Sequence, residues 1–243
     1  MNDTNAVFAK IAKRYDAFNA ISSFGINRHW TNVFIADVAR EAPKDVLDVA
    51  GGTGEICLAL LRLLPWANIT LSDISTEMLD VARQRLGVLA TGFDDVRADL
   101  ALAERQRVSI RYADAQELPF NDASYDAITC AYGIRNVVNR DKALAEFYRV
   151  LRPGGSVHIL EFTTPPGKCW RALYHLYLQF AIPNIGKLLT GNKNEFEYLR
   201  QSILEFPKQH LFCEKLHTAG FSDIRYRNLT GGLVAVYNAY KVE

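Results

Sequence analysis

Asp45-Val46-Leu47-Asp48-Val49-Ala50-Gly51-Gly52-Thr53-Gly54-Glu55 is the stretch whose reading decides the fold. Its first five residues are a short apolar run that reads as a buried strand. The apolar segment from Glu55 to Leu64 reads as a helix. Three glycines in four positions join the two. Glycine allows a sharp turn and lets a ligand come close to the backbone, whereas a plain strand-to-helix turn rarely needs three of them. The dinucleotide fingerprint G-x-G-x-x-G is only partly met, because Gly52-x-Gly54 is followed by Cys57 where the third glycine belongs. The loop therefore points to a nucleoside-bearing cofactor other than NAD.

The alternation continues outward from the loop. Asn68 to Leu71, Val108 to Tyr112, Tyr125 to Cys130 and Ser156 to Phe162 read as strands, with helices from Thr76 to Leu86 and from Lys142 to Leu151 between them. The charged, Ala-rich stretch from Gly87 to Arg107 reads as surface helix or loop. Upstream, Phe8, Ile11, Ala12, Tyr15 and Phe18 recur at helical spacing. A second helix over Asn27–Arg40 carries Trp30, Val33, Phe34 and Val38. Downstream, an apolar and aromatic run from Trp170 to Ile182 stops at Pro183. Helical segments near Glu195–Leu204 and Lys208–Ala219 follow, and Ile224–Tyr226 with Leu233–Tyr240 reads as an antiparallel pair. These units predict one α/β domain over residues 1–243. Its core is a doubly wound, mostly parallel, seven-stranded Rossmann-like sheet with an antiparallel C-terminal strand pair. Residues 1–42 form an N-terminal helical cap and 165–205 a helical insertion.

Composition narrows the function classes. The 243 residues are 49% hydrophobic and 23% charged, and 28 Lys plus Arg against 27 Asp plus Glu leave a net charge of +1. That balance argues against nucleic acid as the partner, since duplex binders concentrate basic excess. Cys57, Cys130, Cys169 and Cys213 lie far apart without metal-ligand spacing, so reduced structural thiols and no metal site are expected. The polar start Met1–Asn5 leads into no apolar h-region, and no stretch approaches the roughly 20 apolar residues of a membrane span.

Three strand ends carry the cofactor candidates. Gly51, Gly52, Thr53 and Gly54 form the first. Asp73, at the end of the second strand, can accept both ribose hydroxyls of a nucleoside. Asp114-Ala115 follow the third strand, at the lip where a purine would lie. Polar groups at successive strand ends line the crevice where open α/β sheets bind ligands.

With the residues around them, these motifs resemble the class I methyltransferases. More narrowly, the chain resembles the UbiE/Coq5/MenG family of quinone-biosynthesis C-methyltransferases. The likeness is carried by Lys13-Arg14-Tyr15-Asp16-x-x-Asn19, Asn27-Arg28-His29-Trp30, the glycine loop and Asp114-Ala115-x-x-Leu118-Pro119-Phe120. It continues through Gly133-Ile134-Arg135-Asn136, Arg149-Val150-Leu151-Arg152-Pro153-Gly154-Gly155, Tyr198-Leu199-x-x-Ser202-Ile203, Ala219-Gly220-Phe221 and Asn228-Leu229-Thr230-x-Gly232. Ala131 stands where some members carry Ser.

The resemblance implies that Thr53, Asp73 and Asp114-Ala115 contact S-adenosyl-L-methionine. It implies a polyprenylated hydroquinone methylated on ring carbon, a naphthoquinol or a benzoquinol, with another lipophilic or phenolic acceptor as the alternative. Arg135, just past the fourth strand, is then expected to stabilise the phenolate oxyanion, and Asn136 to orient the ring. Tyr15 and Asn19 are candidates for a lid over the cofactor. His29, or Asp114 through a water, is a candidate general base. A bilayer-resident substrate implies transient membrane contact, near Lys168 and Arg171, for a protein of the bacterial cytoplasm or the mitochondrial matrix. It also leaves room for a homodimer or a quinone-synthesis complex.

Overall fold

The computed structural model of the chain describes residues 25–87, 106–182, 184 and 194–242. The first predicted helix, with Tyr15 and Asn19, and nearly all of the Gly87–Arg107 stretch lie outside the described residues.

Helix α1 (Asn27–Arg40) precedes strand β1 (Asp45–Val49), which the glycine turn joins to α2 (Glu55–Leu63). Strand β2 (Asn68–Asp73), α3 (Thr76–Leu86), β3 (Val108–Tyr112) and β4 (Tyr125–Ala131) come next. A 3₁₀ turn over Ile134–Asn136 leads to α4 (Arg140–Val150) and the long β5 (Leu151–Phe162). After α5 (Lys168–Leu176) and a π-helical turn (Tyr177–Ala181) stand α6 (Asn194–Glu205), α7 (Gln209–Thr218), β6 (Ser222–Leu229) and β7 (Val234–Tyr240).

All seven strands join one sheet in the order β3-β2-β1-β4-β5-β7-β6. The pairs β1–β2, β2–β3, β1–β4 and β4–β5 are parallel, and β7 runs antiparallel to both β5 and β6. The expected doubly wound sheet with its antiparallel closing pair is the fold found. Strand order reverses between β1 and β4, so a crevice opens outside their carboxyl ends.

Pleating sends alternate β1 side chains to opposite layers. Val46 joins Trp30, Phe34, Leu60 and Leu79 on one face. Leu47 and Val49 join Phe147, Phe212 and Tyr237 on the other. The strand therefore lies between two packed layers, and its polar Asp48 is buried with it.

Several element ends differ from the sequence reading: β2 runs on to Asp73, β6 spans Ser222–Leu229 rather than Ile224–Tyr226, and β5 and α4 both start early. Strand β5 starts at Leu151 rather than Ser156, because Leu151 pairs with Tyr125 and Pro153-Gly154-Gly155, which reads as a turn, is carried inside the strand as an irregularity. There Gly154 N donates to Lys241 O (2.8 Å) and Lys241 N to Gly155 O (2.9 Å), while on the β4 side the register shifts between Tyr125 and Ala127. Helix α4 starts earlier than Lys142 because Asn139 caps it, its Oδ1 accepting from Lys142 N at 3.0 Å.

The apolar run after Phe162 has two faces. Tyr174, Leu178 and Ile182 pack with Ile203 of α6. Leu173, Leu176 and Phe180 are 55%, 53% and 59% exposed. The segment is thus a core wall on one side and an open apolar surface on the other.

Candidate active site

The glycine turn is built by backbone geometry that side chains would obstruct. Gly52 and Gly54 adopt φ of 54° and 81°, in the left-handed region that favours glycine. A Cβ on Gly51 would sit 2.8 Å from both Asp48 Oδ2 and Leu71 Cγ. Across the crevice, a Cβ on Gly133 would lie 2.5 Å from the Ala50 Cβ, so Gly133 lets the loops after β1 and β4 touch. Gly51 N donates to Ser72 O at 3.0 Å, which ties the turn to β2.

Two carboxylates lie under this turn. Asp73 Oδ2 accepts from Gly52 N (2.9 Å) and Oδ1 from Ser75 N (2.8 Å). Burial pushes the Asp73 carboxyl above its usual range, against the pull of these amides. Asp48 is fully buried. Its Oδ1 accepts from Thr129 Oγ1 at 2.8 Å, while Oδ2 makes no close hydrogen bond among the described residues. Burial raises the Asp48 carboxyl to about 7; the Thr129 hydroxyl opposes that rise, and the neighbouring Asp73 charge adds to it. The sequence reading took Asp48 for a plain strand residue, although an acid inside an apolar strand three residues before a glycine turn was a usable signal.

Thr53 is buried at the mouth of α2 and its Oγ1 accepts from Arg85 Nη1 at 2.8 Å. Asp114 forms a local turn, Oδ1 accepting from Gln116 N at 2.8 Å, beside buried Ala115 and Leu118. The ends of β1, β2 and β3 thus stand in register along one edge. His29 is exposed on α1, next to buried Trp30.

Past β4 the 3₁₀ turn presents Arg135 and Asn136. Arg135 is not a surface residue: it is 5% exposed and pairs through Nη1 with the fully buried Glu161 Oε1 at 2.7 Å. Its Nη1 also donates to Tyr132 O, and its guanidinium carbon stands 5.4 Å from the Phe162 ring centre. Asn136 Oδ1 accepts from Tyr198 Oη at 3.1 Å, so helix α6 holds the amide from the opposite side. Trp30 meets Phe162 edge-on at 6.1 Å, and Tyr132 lies tilted by 35° against Phe162 at 4.8 Å, completing an aromatic wall beside the ion pair. Glu161 and Tyr198 were not singled out from sequence as site residues.

Among the described residues no cluster of His, Cys, Asp and Glu could hold a metal ion, and no helix is long and apolar enough to cross a membrane.

The donor set fits an adenosyl sulfonium. Asp73 accepts from Gly52 N through Oδ2 and from Ser75 N through Oδ1, and the two oxygens of a carboxylate offer about four acceptor sites, which leaves capacity for a ribose hydroxyl. The buried Asp48 and half-buried Asp73 carboxyls make a region that favours a cation, and the Gly51–Gly54 backbone leaves room for close approach. Residues 2–241 match the profile of the ubiE/COQ5 methyltransferase family. The chain belongs to that family.

The ubiE/COQ5 relatives include a demethylmenaquinone methyltransferase of Deinococcus radiodurans, 38% identical over 95% of this chain and 89% of its own length. Another is a ubiquinone/menaquinone biosynthesis C-methyltransferase of Rickettsia bellii, 41% identical over 98% of this chain and 92% of its own. Among solved structures, a methyltransferase of Thermotoga maritima described as a possible histamine N-methyltransferase superposes with a TM-score of 0.65. It is 16% identical and covers 97% of this chain and 98% of its own. A Haemonchus contortus phosphoethanolamine N-methyltransferase in complex with S-adenosyl-L-methionine gives 0.62 at 18% identity, over 87% of this chain and 53% of its own. These two share the fold. The ubiE/COQ5 chain described here is accordingly a methyltransferase that uses S-adenosyl-L-methionine.

Proposed function

We propose that the protein methylates a ring carbon of a polyprenylated hydroquinone, in menaquinone or ubiquinone formation, with Arg135 and Asn136 acting on the acceptor ring. The observation that carries this reading is the placement of those two residues. They stand beyond β4, next to the strand on the other side of the carboxylate-lined glycine turn, and are held by Glu161 and Tyr198. The names of the family relatives support the acceptor class.

S-adenosyl-L-methionine supplies an electrophilic methyl on a sulfonium. Asp73 accepts the ribose hydroxyls, the Gly51–Gly54 turn with Thr53 lies against the aminoacyl end, and Asp114-Ala115 border the adenine. The Asp48 and Asp73 carboxyls favour the positive charge. A hydroquinone ring carbon becomes nucleophilic when the neighbouring hydroxyl loses its proton, and the Arg135 charge stabilises the phenolate that results. Transfer of the methyl to that carbon leaves S-adenosylhomocysteine as the thioether product, and loss of the carbon's own proton restores the aromatic ring. Asn136 and Tyr198 fix the ring, and the Trp30, Tyr132 and Phe162 wall keeps water from it. His29 and Asp114 remain the candidates for the group that takes the hydroxyl proton. Residues 1–42 act as a cap and 165–205 as the acceptor-side insertion of a single domain.

The exposed Leu173, Leu176 and Phe180, close to Lys168 and Arg171, form the face that meets the bilayer in which a prenylated quinol resides. Flotation with anionic liposomes tests this contact. The protein is expected to float with them and Leu173→Glu/Phe180→Glu is not, while equal recovery of both at the bottom contradicts the contact.

The decisive assay for the acceptor supplies radiolabelled cofactor with chemically reduced demethylated naphthoquinol and benzoquinol. Label is expected in the organic phase with at least one quinol and not with the oxidised quinones. Incorporation into neither quinol contradicts the reading.

A further inference from the structure

Glu161 stands out among the buried polar groups. It is the penultimate residue of β5, flanked by apolar strand positions, and has no exposed surface. Nothing in a sheet strand of this kind requires a carboxylate. Its bonding explains its presence. Oε1 accepts from Arg135 Nη1 at 2.7 Å and from Phe162 N at 2.8 Å. Oε2 accepts from Arg135 N at 3.1 Å. One carboxylate therefore grips both the main chain and the guanidinium of Arg135, and anchors the ring that the guanidinium faces.

We propose that Glu161 is a positioning residue for methyl transfer, acting through Arg135. This inference rests on the role given to Arg135 above. A buried guanidinium needs a counter-charge, and one supplied by a residue of the rigid sheet also sets its direction. The carboxylate is chemically specific. All three of its partners are N–H donors spread over both oxygens, and an amide offers only one acceptor atom. In either orientation, Glu161→Gln turns an NH₂ group toward an N–H of Arg135. The turn then tilts or the guanidinium swings, while the cofactor strand ends at β1, β2 and β3 stay as they are. Shortening the arm by one methylene in Glu161→Asp keeps the charge but cannot span both contacts.

The test uses the full chain, with cofactor affinity, thermal midpoint, kcat and acceptor KM measured for Glu161→Gln, Glu161→Asp, Arg135→Ala and Arg135→Gln/Glu161→Gln. For Glu161→Gln, cofactor Kd is expected within about threefold of wild type and kcat reduced about 10²-fold. Glu161→Asp is expected to restore part of that loss, to about tenfold below wild type. The neutral double variant should regain most of the thermal midpoint lost by Glu161→Gln without regaining kcat, a separation that a purely structural ion pair does not produce. Should Glu161→Gln not fold, Glu161→Asp decides: a tenfold loss of kcat supports the role, and wild-type kcat overturns it. Wild-type kcat in Glu161→Gln likewise overturns it, as does recovery of kcat together with stability in the double variant. Arg135→Ala separates the two layers of the argument. If it turns over normally, the role of Arg135 itself fails. If it is inactive while Glu161→Gln is not, only the inference about Glu161 fails.

Discussion

Trp30 Nε1 donates to Thr230 Oγ1 at 2.8 Å, joining α1 to the turn between β6 and β7 across 200 residues of sequence. The same threonine offers its carbonyl to Trp170 Nε1 at 3.2 Å. One turn thus clasps both the helix before the sheet and the helix on the acceptor side. Close packing makes this turn intolerant of added atoms: a Cβ on Gly231 would sit 2.7 Å from Trp170 Nε1, and one on Gly232 2.7 Å from Pro166 Cδ.

Thr230→Val removes the hydroxyl and leaves a buried indole N–H without its partner. A loss of about 1–2 kcal/mol is expected, a fall in Tm of roughly 2–8 °C for a chain of this size. Trp30→Ala, which also removes the edge contact to Phe162, should cost about 3–5 kcal/mol. Differential scanning calorimetry of both variants checks the order.

Gly133→Ala places a methyl 2.5 Å from that of Ala50, so the loops after β1 and β4 must separate. Because one carries the cofactor turn and the other leads to Arg135, the expected effects are joint. Cofactor Kd should rise about tenfold and kcat should fall. A variant with wild-type values in both would show that the two loops move independently.

Asp48 gives a pH dependence of definite sign. Its folded pKa of about 7 lies above the ordinary value of 3.8, so folding favours the protonated carboxyl. This contribution to stability is complete below pH about 4 and is lost as pH rises through about 7. Asp48→Asn, which can still accept from Thr129, should therefore gain stability over wild type as pH rises from 4 to 8, by at most about 4 kcal/mol. Cofactor affinity moves the opposite way. A bound cation favours the charged carboxylate, so wild-type affinity should increase from pH 5 to 7 with proton release, and Asp48→Asn should lose that dependence. Calorimetric titration in two buffers of different ionisation enthalpy measures the protons released.

His158 acts in the opposite sense to Asp48. It is buried between Ser156 Oγ and Asn238 Oδ1, each at 2.9 Å, and burial lowers its pKa below the ordinary 6.5. The unfolded chain therefore binds a proton that the folded chain refuses. The stability this gives is complete above pH about 6.5 and erodes as pH falls below it. His158→Gln is expected to be less stable than wild type at pH 8, with the gap narrowing as pH falls from 6.5 to 5, because only the wild type carries the His158 loss while the opposite Asp48 contribution is common to both. Parallel slopes for the two proteins would contradict this.

The glycine turn and the alternating strands were legible because their signals are local: apolar runs bounded by turn chemistry. The ends of β5 and α4 were not. Pro153-Gly154-Gly155 is turn-like by composition and is carried in the strand between the Leu151–Tyr125 and Ser156–Ala127 pairs, its backbone bonded to Lys241, 86 positions beyond Gly155 in the chain. Arg135 was legible as a site candidate from its place just past the fourth strand. Its actual setting depends on Glu161, an unremarkable strand acid until β4 and β5 are paired. Tyr198 reaches Asn136 from a helix 62 residues away, a contact that no spacing announces. Asp48 lay inside the deciding stretch itself, already read as buried strand; its partners Thr129 and Asp73 come from β4 and β2, and only the pairing of the sheet brings them to it.

The central claim is that the ends of β1, β2 and β3 hold the adenosyl sulfonium. Calorimetric titration of S-adenosyl-L-methionine into wild type and Asp73→Ala tests it most directly. The account predicts one site per wild-type chain and at least a tenfold weaker Kd in a folded Asp73→Ala. Wild-type protein that takes up no cofactor, or an Asp73→Ala variant that binds it equally well, would contradict the claim.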